Sequence, residues 1–346
     1  MTWREYHEST KHSVESLRRA PNILDWANMP DPFRYYEGVP VLDLPAHPPV
    51  PETPALEVLH GVLGTTPAGD GPTFLSQVLF YSAAISASKR VPSTGDRYAL
   101  RVNPSSGNLH PTEFHFLTRG LKEWPDGLYH YRPSAHMAEQ RALGGLEINL
   151  AGSSAPIVFV LTSIAWREAW KYRDRAYRYC LHDMGHAWQA LALAARAAGC
   201  DSFAIGHFQD DAVASYCHLH EDEWPMLIVE VRGGSIPMRE PDACRTVWYG
   251  GHANQLSRER TTYPRIDGIH SATKLRNGGS RCISTADAAP AGSGEIKLPP
   301  PAASSLPFGE VAREAAFGTR LRGWNPIDVV DPALGPACRD DPAVFC

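Results

Sequence analysis

The sequence has no C-x-x-C pair, and its seven cysteines (180, 200, 217, 244, 282, 338 and 346) are scattered and odd in number. That argues against a disulfide framework or a structural zinc and fits reduced thiols in a cytoplasmic protein. Long apolar runs are missing too, so no stretch is expected to span a bilayer. The opening MTWREYHESTKHS lacks the apolar stretch of a secretory signal. Positive charge is scarce: 33 Lys and Arg stand against 38 Asp and Glu, a net charge of −5, which leaves no basic footprint for nucleic acid. No G-x-G-x-x-G follows a strand pattern, and G-x-x-x-x-G-K-[ST] and G-x-S-x-G do not occur, so Rossmann, P-loop and nucleophile-elbow chemistry have no support. What is present is a chain of 346 residues, 43% hydrophobic and 21% charged, the make-up of a globular protein of one or two domains.

Residues 1–50 are irregular, with Trp26, Phe33, Tyr35 and Tyr36 among prolines, and are expected to wrap over a core. A helix is predicted from Phe74 to Ser88, with Thr73 as its N-cap after Pro72. Glu113–Thr118 alternates polar and apolar residues and reads as a strand with Phe114 and Phe116 on one face. Gly127–Tyr131, Ser202–Phe208 and Pro225–Arg232 read as further strands. The continuous apolar run Pro156–Thr162 suits a buried central strand. The longest helical signal runs from Arg173 to Ala198, with Gly199 as its stop. Gly185 inside it costs about 1 kcal/mol relative to alanine, tolerable where another backbone approaches closely. Strands and helices do not strictly alternate, which predicts an α+β fold. Beyond Pro237 the pattern weakens. The expected division is a domain over 1–265 (core about 70–235, wrap 1–69), a disordered linker over 266–305, and a final piece over 306–346 with one short helix near Phe308 to Phe317.

Five stretches carry chemistry. RVNPSSGNLHPTEFHF, Arg101–Phe116, packs Asn103, Pro104, Ser105, Ser106, Gly107 and Asn108 into one turn ahead of a strand, a place to hold a polar, planar ligand. Lys11, His12 and Ser13 at a possible helix start offer charge and hydroxyl to a phosphate. Lys171 and Tyr172 among Arg173, Arg175 and Arg178 form a plausible acid–base pair, whose pKa values crowded positive charge would lower. Ala204-Ile205-Gly206-His207-Phe208 is a glycine loop at a strand end, where backbone can approach a ligand. His182 and His186, one helical turn apart, can share a metal, but the glutamate of a zincin and a third ligand are missing, so no metal is expected. Cys217-His218-Leu219-His220-Glu221 reads as a surface loop before a strand.

In this order the pieces resemble the nitroreductase-like flavoproteins, and more closely their azoline-dehydrogenase (SagB/ThcOx) branch, over about residues 5–235. Lys11-His12-Ser13 resembles the element that contacts the FMN phosphate and ribityl chain. Arg101 with Pro104-Ser105-Ser106-Gly107-Asn108-Leu109-His110-Pro111 is similar to the turn at the flavin. Gly206 and His207 match the loop whose amides face the flavin N5 and O4 edge. Trp170-Lys171-Tyr172 is similar to an acid–base Leu-Lys-Tyr element, with Trp170 in place of leucine, and RYCLHDMGHAWQ (Arg178–Gln189) to the helix that follows. The superfamily's C-terminal basic residue is not placed; Arg245, Arg258 and Arg260 are candidates.

The resemblance implies an α+β nitroreductase-like sandwich, a mixed or antiparallel sheet flanked by helices, binding FMN at a homodimer or pseudo-dimer interface. It implies hydride transfer at flavin N5, either in azoline-to-azole oxidation or in reduction driven by NAD(P)H as co-substrate, on a small-molecule or peptide substrate. A catalytically inactive partner subunit of a peptide-modifying complex is the alternative. Leu306–Arg313 looks like the opening of a second, shortened module.

Overall fold

A computed structural model describes residues 1–19, 23–65, 69–90, 92, 95, 97–144, 155–242 and 245–275. Its strands are β1 (Tyr36–Glu37), β2 (Val41–Asp43), β3 (Ile85–Arg90), β4 (Arg97–Arg101), β5 (Thr112–Thr118), β6 (Gly127–Arg132), β7 (Met137–Leu143), β8 (Ile157–Ser163), β9 (Asp201–Ile205), β10 (Trp224–Arg232), β11 (Val247–Trp248) and β12 (His252–Ala253). The helices are α1 (Trp3–Ser9), α2 (Val14–Arg19), α3 (Ala55–Leu59), α4 (Gly71–Phe80), α5 (Ala165–Tyr172), α6 (Ala176–Ala197), α7 (Asp210–Tyr216) and α8 (Pro264–Thr273).

The centre is an antiparallel sheet in the order β11-β7-β6-β5-β8-β10-β9, with β2 also pairing β7. Because side chains alternate along a strand, each strand contributes to two cores. Phe114, Phe116, Tyr129, Tyr131, Phe159, Leu161, Val229 and Val231 pack with Leu75 and Leu79 of α4 and Ala187 and Leu191 of α6. Leu117, Leu128, Val158, Val160 and Ile228 pack on the other side with Phe208 and with Val213 of α7. Every residue of β5 and β8 is buried; β8 is the continuous apolar run expected at the centre, whereas β5 also buries the polar Glu113 and His115.

Two helical expectations need correction. The helix expected at 74–88 is α4, which starts at Gly71 and stops at Phe80, and its N-cap is Asp70, not Thr73. The Asp70 carboxylate accepts the Thr73 N–H at 2.7 Å, and Pro72 sits in the first turn. Ile85–Arg90 then pairs with β4 as a strand, because long-range pairing outweighs its local helical pattern. The long helix begins at Ala176, not Arg173. Arg173 has φ 53° and breaks the chain there, so Lys171 and Tyr172 close a separate α5. Gly199, at φ +82°, is the expected stop. Gly185 has no neighbour near the position a Cβ would take, so the close backbone approach expected there is not found.

Among the described residues of the first fifty, Tyr6, Arg34 and Tyr36 are buried, while residues 14–18 of α2 are exposed. The folded body continues past the boundary expected at 265. Helix α8 buries Ile266 and Ile269, and the His270 ring stacks on Trp224 with centroids 3.8 Å apart. The second-module expectation at 306–346 lies outside the described residues. Among them, no helix is long and apolar enough to cross a membrane.

Candidate functional site

The 103–110 turn is held by one side chain of α6. The Asp183 carboxylate accepts the Ser105 hydroxyl at 2.6 Å, the Ser106 hydroxyl at 2.8 Å and the Ser106 N–H at 3.0 Å. Asn108 donates to the Ala99 carbonyl at 2.9 Å, and its side-chain oxygen lies 2.8 Å from His110 Nε2. Gly107, Asn108 and His110 have φ of 61°, 60° and 49°, the left-handed conformations expected in so tight a loop. The two serine hydroxyls are thus turned inward and rigidify the turn. Pro104 and Gly107 are its exposed residues.

Lys171 and Tyr172 lie over this turn. A Cβ at Gly107 would meet the Tyr172 hydroxyl at 2.8 Å and Lys171 Nζ at 3.2 Å. The Tyr172 ring rests against Tyr179 at 4.1 Å, and Lys171 Nζ is 5.5 Å from the Tyr172 ring centroid. The expected acid–base pair therefore converges on the expected ligand turn, although the two are more than sixty residues apart in sequence.

Arg101 is buried. Its Nη2 donates to the Pro32 carbonyl at 2.5 Å and the guanidinium lies over Phe33, while Nε and Nη1 have no partner. Burial lowers its pKa to about 10. Lys11 is exposed and paired with Glu8 at 2.7 Å, and Ser13 caps the next turn by accepting the Ser16 N–H at 3.0 Å. His12 is exposed; partial burial and then the charges of Arg175 and Arg178 lower its pKa. Arg175 donates to the Thr10 carbonyl and Arg178 to the Thr10 hydroxyl, which ties the 10–13 segment to the start of α6. Gly206 and His207 are exposed where edge strand β9 ends.

Glu168 was not singled out from the sequence. It lies one turn before Lys171, is fully buried and has no hydrogen-bond partner on either oxygen. Burial, then the nearby charge of Asp183, raise its pKa well above the ordinary carboxylate range. Also missed was a buried polar network on the sheet. Glu113 pairs with Arg167 and lies 3.1 Å from His130, which is 2.9 Å from Glu139. Burial alone would raise the Glu113 pKa, but Arg167 and His130 pull it to about 2. His115 lies 2.6 Å from Glu223, which also accepts the Thr162 hydroxyl at 2.5 Å and that of Tyr36 at 3.1 Å. His182 and His186 are exposed on α6, and no group of metal-ligating side chains occurs among the described residues.

This arrangement of sheet, long helix and polar turn has known counterparts. Residues 82–234 match the model of the nitroreductase family. That segment, a little under half of the chain, is similar to the nitroreductase family. The matched segment contains β5, β8, α5, α6 and the turn under Lys171 and Tyr172. MJ1384 of Methanocaldococcus jannaschii, which carries the name nitroreductase, is 25% identical over 166 residues, 45% of this chain and 78% of the relative. A crystal structure from Anabaena variabilis, also named a nitroreductase, superposes with a TM-score of 0.59 at 24% identity, covering 80% of this chain and 55% of that one. The chain therefore spans about half the length of that structural relative. A nitroreductase-named structure from Ralstonia eutropha gives 0.45 at 18% identity, covering 62% of this chain and 95% of that one. The fold is the α+β nitroreductase fold, with an antiparallel central sheet flanked by helices.

Proposed function

We propose that the protein is an FMN-dependent oxidoreductase of the azoline-dehydrogenase kind, passing hydride between flavin N5 and an organic substrate. The observation that carries this reading is the convergence of Lys171 Nζ and the Tyr172 hydroxyl on Gly107 in the turn that resembles a flavin turn. The residues present fit a flavin in three respects. Gly107, lacking a Cβ, lets the Tyr172 hydroxyl and Lys171 reach the backbone of the turn. Gly206 and His207 are exposed at a strand end, where backbone N–H groups can face a ligand. Arg101 keeps two buried nitrogens without a protein acceptor.

FMN, when bound, supplies the two-electron chemistry. The chain's own residues supply position and protons. Tyr172 or Lys171 takes a proton from the substrate carbon next to the bond being oxidised. Pro104, Ser105, Ser106 and Asn108 form a wall stiffened through Asp183. Lys11, His12 and Ser13 bring charge and a hydroxyl towards a phosphate. A second copy of the chain, or a second module, completes the site in this reading. In reductive turnover NAD(P)H is the co-substrate.

The test is the absorbance spectrum of the purified protein, with the chromophore released and identified, and light scattering on the eluting species. A flavin spectrum from a dimer is expected. A colourless protein that takes up no added FMN would overturn the reading. It would favour the second one, an inactive partner subunit of a peptide-modifying complex, which the inward-turned hydroxyls of Ser105 and Ser106 support.

A further inference from the structure

An open cleft of about 370 Å³ lies beside Arg141 of β7, with the 218–221 segment after α7 along one wall. Tyr36, Arg141, His218, Leu219, Glu221 and Ala253 are among its lining residues. Arg141 is at its base, 2% exposed. A guanidinium carries five N–H donors. That of Arg141 donates from Nε to the Gly250 carbonyl and from Nη2 to the His218 carbonyl at 3.0 Å. Its Nη1 is buried and has no partner.

This cation also lacks a counter-charge. Among the described residues no carboxylate lies within ion-pair distance of Arg141. The nearby buried carboxylate, Glu223, is already engaged by His115, Thr162, Tyr36 and Arg34. The Tyr36 ring lies 3.5 Å from the Arg141 guanidinium, with its hydroxyl on Glu223. A buried charge held by two carbonyls and the face of a ring is costly unless an anion completes it. Its position is nevertheless fixed in advance, by two carbonyls and a stacked ring, as a receptor for an anion requires.

We propose that this cleft is a binding site for a small organic carboxylate. The carboxylate meets the free end of the Arg141 fork, where its planar geometry allows paired hydrogen bonds. The organic body lies against Tyr36, Leu219 and Ala253. The His218 ring, stacked on Trp248 with centroids 4.1 Å apart, forms one rim. A singly charged group fits better than a phosphate, because there is one guanidinium, no lysine lines the cleft, and Glu221 places a negative charge at the mouth. The inference does not depend on flavin binding, since it uses none of the residues of the Lys171 site.

Calorimetric and saturation-transfer titration of the full chain with sodium benzoate, with inorganic phosphate in parallel, tests this. Benzoate is expected to bind at millimolar concentration or tighter, and phosphate not to compete. Arg141→Gln should weaken benzoate about tenfold or more. Glu221→Gln, at an exposed rim, should leave the fold intact and tighten binding about two- to threefold by removing a like charge. It decides the matter if the Arg141 variant does not fold. No benzoate binding up to about 10 mM, binding unaffected by Glu221→Gln, or phosphate binding in preference, would each overturn the proposal.

Discussion

Asp183 accepts the Ser106 backbone N–H with both of its carboxylate oxygens, each at 3.0 Å, and takes the hydroxyls of Ser105 and Ser106 as well. One buried residue of α6 thus determines the shape of a turn 77 positions earlier. Asp183→Ala leaves those donors facing apolar surroundings. The expected loss is about 2–4 kcal/mol, read as a lower denaturant midpoint, together with faster amide exchange at Ser106.

Gly107 is the second constraint on that turn. Gly107→Ala places a methyl 2.8 Å from the Tyr172 hydroxyl in a residue already at φ +61°. The backbone strain should cost about 1 kcal/mol. The tips of Tyr172 and Lys171 must move aside, so turnover should fall more than stability does. Equal losses in both would show that the contact is not part of the site.

Lys171→Ala combined with Tyr172→Phe removes both groups proposed to take the substrate proton. Flavin content and melting temperature should stay close to wild type, while substrate oxidation falls by about 10²-fold or more. An oxidation rate unchanged in the double variant would remove these residues from the mechanism.

Glu113→Gln leaves Arg167 as an uncompensated buried cation, and a loss of about 3–5 kcal/mol is expected. The pH dependence follows from the direction of the shift. The folded-state pKa of Glu113 is about 2, below the ordinary 4.5, so its contribution is complete above the ordinary value and is lost as pH falls towards 2. Chemical denaturation from pH 6 downwards should show a steeper decline for wild type than for the variant.

Glu168 carries the opposite sign. Its folded-state pKa is raised by burial and by Asp183, so its contribution is complete below the ordinary 4.5 and is lost as pH rises towards the higher folded value. Glu168→Gln keeps the shape and removes the titration. The variant should gain stability relative to wild type as pH rises from 5 to 8, and a constant difference across that range would contradict the assignment.

Much of the sheet was legible because its signal is local. The run at 156–162 is uniformly apolar and became β8, and Phe114 and Phe116 do share a face. The polar positions between them misled in a specific way. Glu113, His115, His130 and Glu139 have the spacing of a solvent-facing edge, yet all are buried. Tyr36 covers this face, and its N–H and hydroxyl bind Glu139 and Glu223, 103 and 187 positions away. No local pattern reports such a contact.

The sequence by itself determined the α+β class, the limits of the central strands and the stop at Gly199, because periodicity and glycine or proline punctuation act over a few residues. Only the tertiary structure decided that Ser105 and Ser106 point inward to Asp183, that Arg101 is buried, that the pKa of Glu168 is raised by burial and that Arg141 is left without a counter-ion. Each of these depends on which groups the fold brings within hydrogen-bond or Coulomb range after water is excluded, a property of packing rather than of local order.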